Sequence, residues 1–244
     1  MKVLDLFSGI GGFSLGLERA GFETVAFCEV DKKCQAVLKK HWPNVPIFDD
    51  VSNLKGENIG QKVDVICGGF PCQDISLAGS GEGLAGKRSG LWSEFHRLIK
   101  EIKPKYAIIE NVSALRSRGL DQVLRQISEI GYDAEWHCIP ASAVGAPHRR
   151  DRIWIVAYAH DEGSQGWLYR WANQKRESES GYLGRCSSVH GQQIEKEWSI
   201  EPDVGRVAHG VSGRVDRLKQ LGNAVVPQIP QLLGMAIMER EKRY

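Results

Sequence analysis

Over roughly the first 160 residues, short apolar blocks alternate with stripes of apolar residues at helical spacing. Val3-Leu4-Asp5-Leu6-Phe7 reads as a strand, followed by a tight glycine loop, Ser8-Gly9-Ile10-Gly11-Gly12-Phe13. Phe13, Leu17 and Ala20 then share one face of a helix that Gly21 stops. Residues 24–28 form a second strand ending in Glu29, and Val37, Leu38 and Trp42 fit a helix before Pro43. Residues 45–48 make a third strand, ending at Asp49-Asp50, and residues 63–67 a fourth. Leu91, Phe95, Leu98, Ile99 and Ile102 mark an amphipathic helix ahead of Pro104. Tyr106-Ala107-Ile108-Ile109 is a fifth strand, leading into Glu110-Asn111-Val112. Leu120, Val123, Leu124, Ile127 and Ile130 line another helix closed by Gly131, and strands follow near 133–139 and 152–158. This alternation predicts an α/β fold: a doubly wound, mostly parallel seven-stranded sheet.

The pattern stops at residue 159. From there to 218 the chain is polar, with Trp167, Trp171, Tyr182 and Trp198 scattered among charges of both signs. It returns with Leu221-Gly222-Asn223-Ala224-Val225-Val226-Pro227 and an apolar helix around Leu232, Leu233, Ala236 and Ile237. The expected organisation is therefore a main domain, 1–158 plus 219–244, interrupted by a small domain at 159–218.

Composition narrows the function classes. A net charge of +2 over 244 residues, with 25% charged residues, confines any nucleic-acid site to a local patch. No apolar run comes near the ~18 residues needed to span a membrane. The N-terminus meets Asp5 too early for a signal peptide. The six cysteines at 28, 34, 67, 72, 138 and 186 include no C-x-x-C pair, which speaks against a zinc site and a disulfide framework and for the reducing cytoplasm. No metal is expected.

Four stretches carry candidate chemistry. Gly68-Gly69-Phe70-Pro71-Cys72-Gln73 follows the fourth strand, and ligands of open α/β sheets gather at strand carboxyl ends. Alone, Cys72 reads equally as a nucleophile or as a buried structural cysteine. The first glycine loop lets backbone N–H groups approach an adenosine cofactor, and Glu29, 20 residues after Gly9, stands where a carboxylate binds ribose hydroxyls. Ser14 in the third glycine position weakens a nicotinamide reading. Glu110 ends an apolar strand, so burial would raise its pKa and let it donate to a ring nitrogen; a salt-bridged surface glutamate is the alternative. In Pro147-His148-Arg149-Arg150-Asp151-Arg152, Arg150 and Arg152 share parity and would point to one side if the strand begins there.

Together, residues 5–13, Gly69-Phe70-Pro71-Cys72-Gln73, Glu110-Asn111-Val112, Arg150-x-Arg152 and Gly222-Asn223-Ala224-Val225 resemble the cytosine-C5 DNA methyltransferases, in that family's motif order. The resemblance implies S-adenosylmethionine as cofactor, with S-adenosylhomocysteine as product, and double-stranded DNA as substrate. Cys72 would attack carbon 6 of a flipped-out cytosine, Glu110 would hold the ring at N3, and Arg152, supported by Arg150, would contact the base or its phosphate. Phe7, Gly9, Ile10, Gly12, Glu29, Val30, Asp50, Val51, Gly69, Pro71, Leu91, Asn223 and Val225 match cofactor-pocket positions. Residues 73–89 match the mobile catalytic loop, and 159–218 would be the target-recognition domain. A monomer is implied, as is a cognate restriction endonuclease that it need not contact. His148 replaces the family's usual glutamine, and a 60-residue recognition region is short for the family. The same chemistry on transfer RNA is the alternative.

Overall fold

The computed structural model describes residues 1–71, 90–160, 166–178 and 221–242. Strands β1 (Lys2–Leu6), β2 (Glu23–Cys28), β3 (Ile47–Phe48), β4 (Val65–Gly68), β5 (Tyr106–Val112), β6 (Tyr132–Pro140) and β7 (Asp151–Ala159) form one sheet in the order β3-β2-β1-β4-β5-β7-β6. The first five strands are mutually parallel where they pair, whereas β7 runs antiparallel to both β5 and β6. The β6–β7 connection explains this reversal. It spans only residues 141–150, too little for the crossover that a parallel pair needs. The helices are α1 (Gly12–Arg19), α2 (Lys32–His41), α3 (Leu91–Ile102), α4 (Leu115–Arg118), α5 (Leu120–Glu129), α6 (Trp167–Ser178) and α7 (Gln228–Glu241).

Burial on both faces explains why the strands read as continuous apolar runs. Leu4, Leu6, Ile66, Ala107, Ile109, Ile153 and Ile155 point to one core, covered by Trp92, Phe95, Leu98 and Ile99 of α3 and by Leu120, Val123 and Ile127 of α5. The alternate positions Val3, Val65, Cys67, Ile108, Trp154, Val156 and Tyr158 point to a second core. That side is covered by Phe13 and Leu17 of α1, Trp167 and Leu168 of α6, and Ile229, Leu233, Ala236 and Ile237 of α7. The period-2 partition follows from strand geometry.

Two features depart from expectation. The segment Leu221–Glu241 has the length and composition of a membrane span, contrary to the expectation that no run comes close. Helix α7 buries Ile229, Leu233, Ala236 and Ile237 in the second core, while Met235 is 40% exposed. Helix α6, in the polar region, was not anticipated. Its first residues, Trp167 and Leu168, are buried, and Glu135 of β6 accepts hydrogen bonds from the Leu168 and Tyr169 amides, both at 3.2 Å. A carboxylate there satisfies helix N-terminal donors and complements the dipole.

Candidate active site

The carboxyl ends of β1, β2, β3, β4 and β5 and the amino end of β7 share one edge of the sheet, and the predicted site residues are distributed along it. Leaving β1, the backbone of Phe7 turns to φ 53 and that of Gly9 to φ 55. The loop then enters α1 through Gly11 at φ 86. Left-handed backbone is natural for the two glycines and costly for Phe7. Buried bonds hold the loop in place. The Ser8 hydroxyl donates to the Asp5 carbonyl at 2.6 Å, and the Gly11 amide donates to the Ser8 carbonyl at 2.9 Å.

Glu29, at the end of β2, is buried, and each of its carboxylate oxygens takes a backbone amide: Gly9 at 2.7 Å and Asp31 at 2.8 Å. A carboxylate has about four acceptor sites, so this fixes its orientation and leaves lone pairs for a ligand's hydroxyls. Gln35 of α2 donates to the Glu29 carbonyl and to Asp49. Asp31 caps α2 by accepting from the Lys33 amide at 2.8 Å. Beside Glu29, Val30 is 76% exposed, an apolar side chain suited to one face of an aromatic ring. Asp50 accepts from the Ser52 amide at 2.9 Å in the turn after β3, and Val51 is buried beneath it. Ile10 is half-buried and Gly12 opens α1, while Leu91 opens α3 against the first core.

After β4 the chain approaches β5 closely. A Cβ on Gly69 would meet Glu110 Oε2 at 2.7 Å, so a side chain there would push that carboxylate from its place. Asn111, which is buried, donates to the Phe70 carbonyl at 3.2 Å and accepts from the Val112 amide at 2.8 Å. Phe70 is itself buried against Trp92, with ring centroids 5.4 Å apart. These contacts fix the chain up to Pro71. Cys72 and the loop 73–89 lie outside the described residues, as does most of 159–218.

Glu110 lies within β5, opposite Trp154 of β7, rather than beyond the strand's end. Its Oε1 pairs with Arg152 Nε at 2.9 Å, in a largely buried ion pair. Burial pushes the Glu110 carboxyl above its usual range, and the guanidiniums of Arg152 and Arg150 draw it back down. Arg152 also donates to the Asp151 carbonyl at 2.9 Å. The expected shared parity of Arg150 and Arg152 does not hold, because β7 begins at Asp151. Arg150 sits before the strand at φ 38 and donates to the Gly222 carbonyl at 2.6 Å. Asn223 is exposed at this edge, and Val225 is half-buried with its carbonyl close against Gly12.

Two residues that sequence reasoning left without a role support the site. Asn111 is one. The other is Asp5, fully buried beneath the glycine loop, where it accepts from the Ser14 hydroxyl at 2.7 Å and the Ser14 amide at 3.3 Å. Burial pushes the Asp5 carboxyl up to about 8 against the Ser14 bonds that lower it. The only signal for it was an acid inside an apolar strand. Among the described residues no group of three or more His, Cys, Asp or Glu side chains could hold a metal ion.

The C-5 cytosine-specific DNA methylase family model matches residues 1–204. The chain is 39% identical over 165 residues to Type II methyltransferase M2.BsuMI of Bacillus subtilis, covering 64% of this chain and 42% of that one. It is 31% identical to M.HhaI of Haemophilus parahaemolyticus, over 69% and 52% of the two chains. The chain thus spans about half the length of the curated relatives it matches. Among solved structures, a candidate DNA modification methyltransferase from an Escherichia coli prophage superposes at TM-score 0.57 with 29% identity, over 68% of this chain and 50% of the other. The Entamoeba histolytica methyltransferase EhMeth superposes at 0.70 over 99% and 98% of the chains, a likeness of fold alone at 12% identity. With the matched region running from the glycine loop through both sides of the Glu110–Arg152 pair, the chain belongs to the C-5 cytosine-specific DNA methylase family.

Proposed function

We propose that this chain methylates carbon 5 of cytosine in duplex DNA, with Cys72 as the nucleophile. The observation that carries the reading is the largely buried Glu110–Arg152 pair, 2.9 Å apart, on the sheet edge that also holds the glycine loop and Pro71. Cytosine carbon 5 is a poor nucleophile unaided. Addition of the Cys72 thiolate to carbon 6 moves electron density toward carbon 5; later loss of the carbon 5 proton and of the thiolate restores the ring. A cysteine of pKa ~8.5 is only slightly ionised at neutral pH, so arginines or helix dipoles brought near it would favour the reactive form. Glu110, whose carboxyl burial pushes above its usual range, would donate a hydrogen bond to ring N3 of cytosine as the thiolate adds, strengthening the ring's electron demand. Arg152 fixes that carboxyl and meets the base or its phosphate.

The edge also suits S-adenosylmethionine, which when bound supplies an electrophilic sulfonium methyl. Glu29, oriented by two amides, would take the ribose hydroxyls, and exposed Val30 would take one face of the adenine. Asp50 and Val51 would flank the adenine. Phe7, Gly9, Ile10, Gly12, Gly69, Pro71, Leu91, Asn223 and Val225 would line the remainder. A target base inside a duplex is out of reach, so it must be flipped at a cost of a few kcal/mol. In this proposal, the 73–89 loop and the 159–218 segment, as the target-recognition domain, supply the offsetting contacts. The protein would act as a monomer in the cytoplasm of a bacterium or phage-infected cell, with or without a cognate endonuclease. Incubation with tritiated S-adenosylmethionine and mixed-sequence duplex DNA is expected to label the DNA. The same incubation with Cys72→Ser is expected to leave it unlabelled, and equal labelling by both proteins would rule out the thiol mechanism.

A further inference from the structure

The Arg150 guanidinium lies close enough to act on Glu110 electrostatically, yet its hydrogen bond goes elsewhere. The residue precedes β7 at φ 38, and its neighbourhood is pinned because the Ala141 amide donates to the Arg149 carbonyl at 2.7 Å and the Arg150 carbonyl at 3.3 Å. From that fixed point the guanidinium donates to the Gly222 carbonyl at 2.6 Å, across 72 residues of sequence. Gly222 begins a segment whose far end is seated in a groove of α1. A Cβ on Gly12 would meet the Val225 carbonyl oxygen at 2.5 Å, and one on Gly16 would meet Pro230 Cγ at 2.9 Å with the Pro227 carbonyl closer still. Asn223 lies between these two anchors, and Val225 is itself the first residue of the second. Helix α1 is itself the continuation of the glycine loop that Glu29 holds at Gly9.

We propose that Arg150 is a positioning residue for the cofactor pocket: it clamps the Gly222 carbonyl and so holds Asn223 and Val225 over the glycine loop. Arg150 and Arg152 then divide the labour between neighbouring positions, Arg152 serving the base side through Glu110 and Arg150 the cofactor side through Gly222. Sequence parity assigned both to one task. The geometry separates them because the strand starts between them. A cation donating to a carbonyl is a stronger restraint than a neutral hydrogen bond.

The proposal rests on reading this edge as an S-adenosylmethionine site, and the test keeps the two apart. Calorimetric titration of S-adenosylhomocysteine into the full chain without DNA is carried out first on the unaltered protein; absence of binding there overturns the cofactor reading and the clamp with it. Given binding, Arg150→Ala is expected to weaken it about tenfold, Arg150→Lys to retain most of it, and Arg152→Ala to change it by less than about twofold. Ligand-free unfolding midpoints separate a local clamp from general damage. If Arg150→Ala lowers the midpoint, the lysine variant decides: it should match the unaltered protein in affinity under the proposal, and a loss equal to that of alanine contradicts it. Unchanged affinity in Arg150→Ala overturns the clamp while leaving the cofactor reading intact.

Discussion

Asp5 and Glu110 are both buried carboxyls on the same edge, and burial raises both, yet their neighbours differ. Glu110 faces two guanidiniums, whereas Asp5, among the described residues, has the neutral Ser14 and Cys67 as hydrogen-bonding neighbours and the like charge of Glu29 nearby. The consequence for stability has a definite sign. The folded chain keeps the Asp5 proton up to about pH 8, while the unfolded chain releases it near the ordinary 3.8. Stability should therefore fall as pH rises between about 4 and 8 and then level off. Asp5→Asn carries no such titration, so its unfolding midpoint should gain on that of the unaltered protein from pH 5 to pH 8. A constant difference across that range would show that Asp5 is not the protonated group. For Glu110, replacement by Gln is expected to lower kcat by about 10²–10⁴-fold, because proton sharing with the ring is lost. S-adenosylhomocysteine affinity should be nearly unchanged. A parallel loss of cofactor binding would mean that Glu110 shapes the pocket instead.

At the scale of elements, the packing of α1 against the segment before α7 holds the two sequence-distant parts of the site together. Gly16 lies within a helix, where alanine would ordinarily gain about 1 kcal/mol. Here the added methyl is driven into the Pro227 carbonyl and Pro230, backbone and a rigid ring that have little room to give. Gly16→Ala should therefore destabilise the chain by about 1–3 kcal/mol in urea unfolding, against its helical propensity. Increased stability would mean that α7 can shift outward freely. This groove was invisible in the sequence, where Gly12 belonged to the glycine loop and Gly16 carried no signal. The strands were legible because burial on both faces leaves short, continuous apolar runs. Two aspects of β7 were not. Its antiparallel direction depends on the brevity of the 141–150 turn, and its start at Asp151 removes the parity that joined Arg150 to Arg152. Helix α6 was missed because, among its described side chains, Trp167 and Leu168 at its beginning are the buried ones, too few to make a stripe.

For the whole molecule, the sequence motifs are separated by up to about 200 residues, and the sheet order brings them to one edge. Placing β1 between β2 and β4 sets the glycine loop beside both Glu29 and the Gly69 turn, and inserting β7 beside β5 sets Arg152 against Glu110. That much of the site follows from the apolar pattern together with the rule that doubly wound sheets gather ligands at their strand ends. The buried supports, Asp5 and Asn111, could not be read in advance, since their value lies in which orphan backbone groups they meet after folding. The most direct test of the central reading is nucleoside mass spectrometry of unmethylated duplex DNA after incubation with S-adenosylmethionine and either the unaltered chain or Cys72→Ser. The expected result is 5-methylcytosine from the unaltered chain and none from the variant. Methylation at another base or ring position, or 5-methylcytosine formed equally well without Cys72, would contradict it.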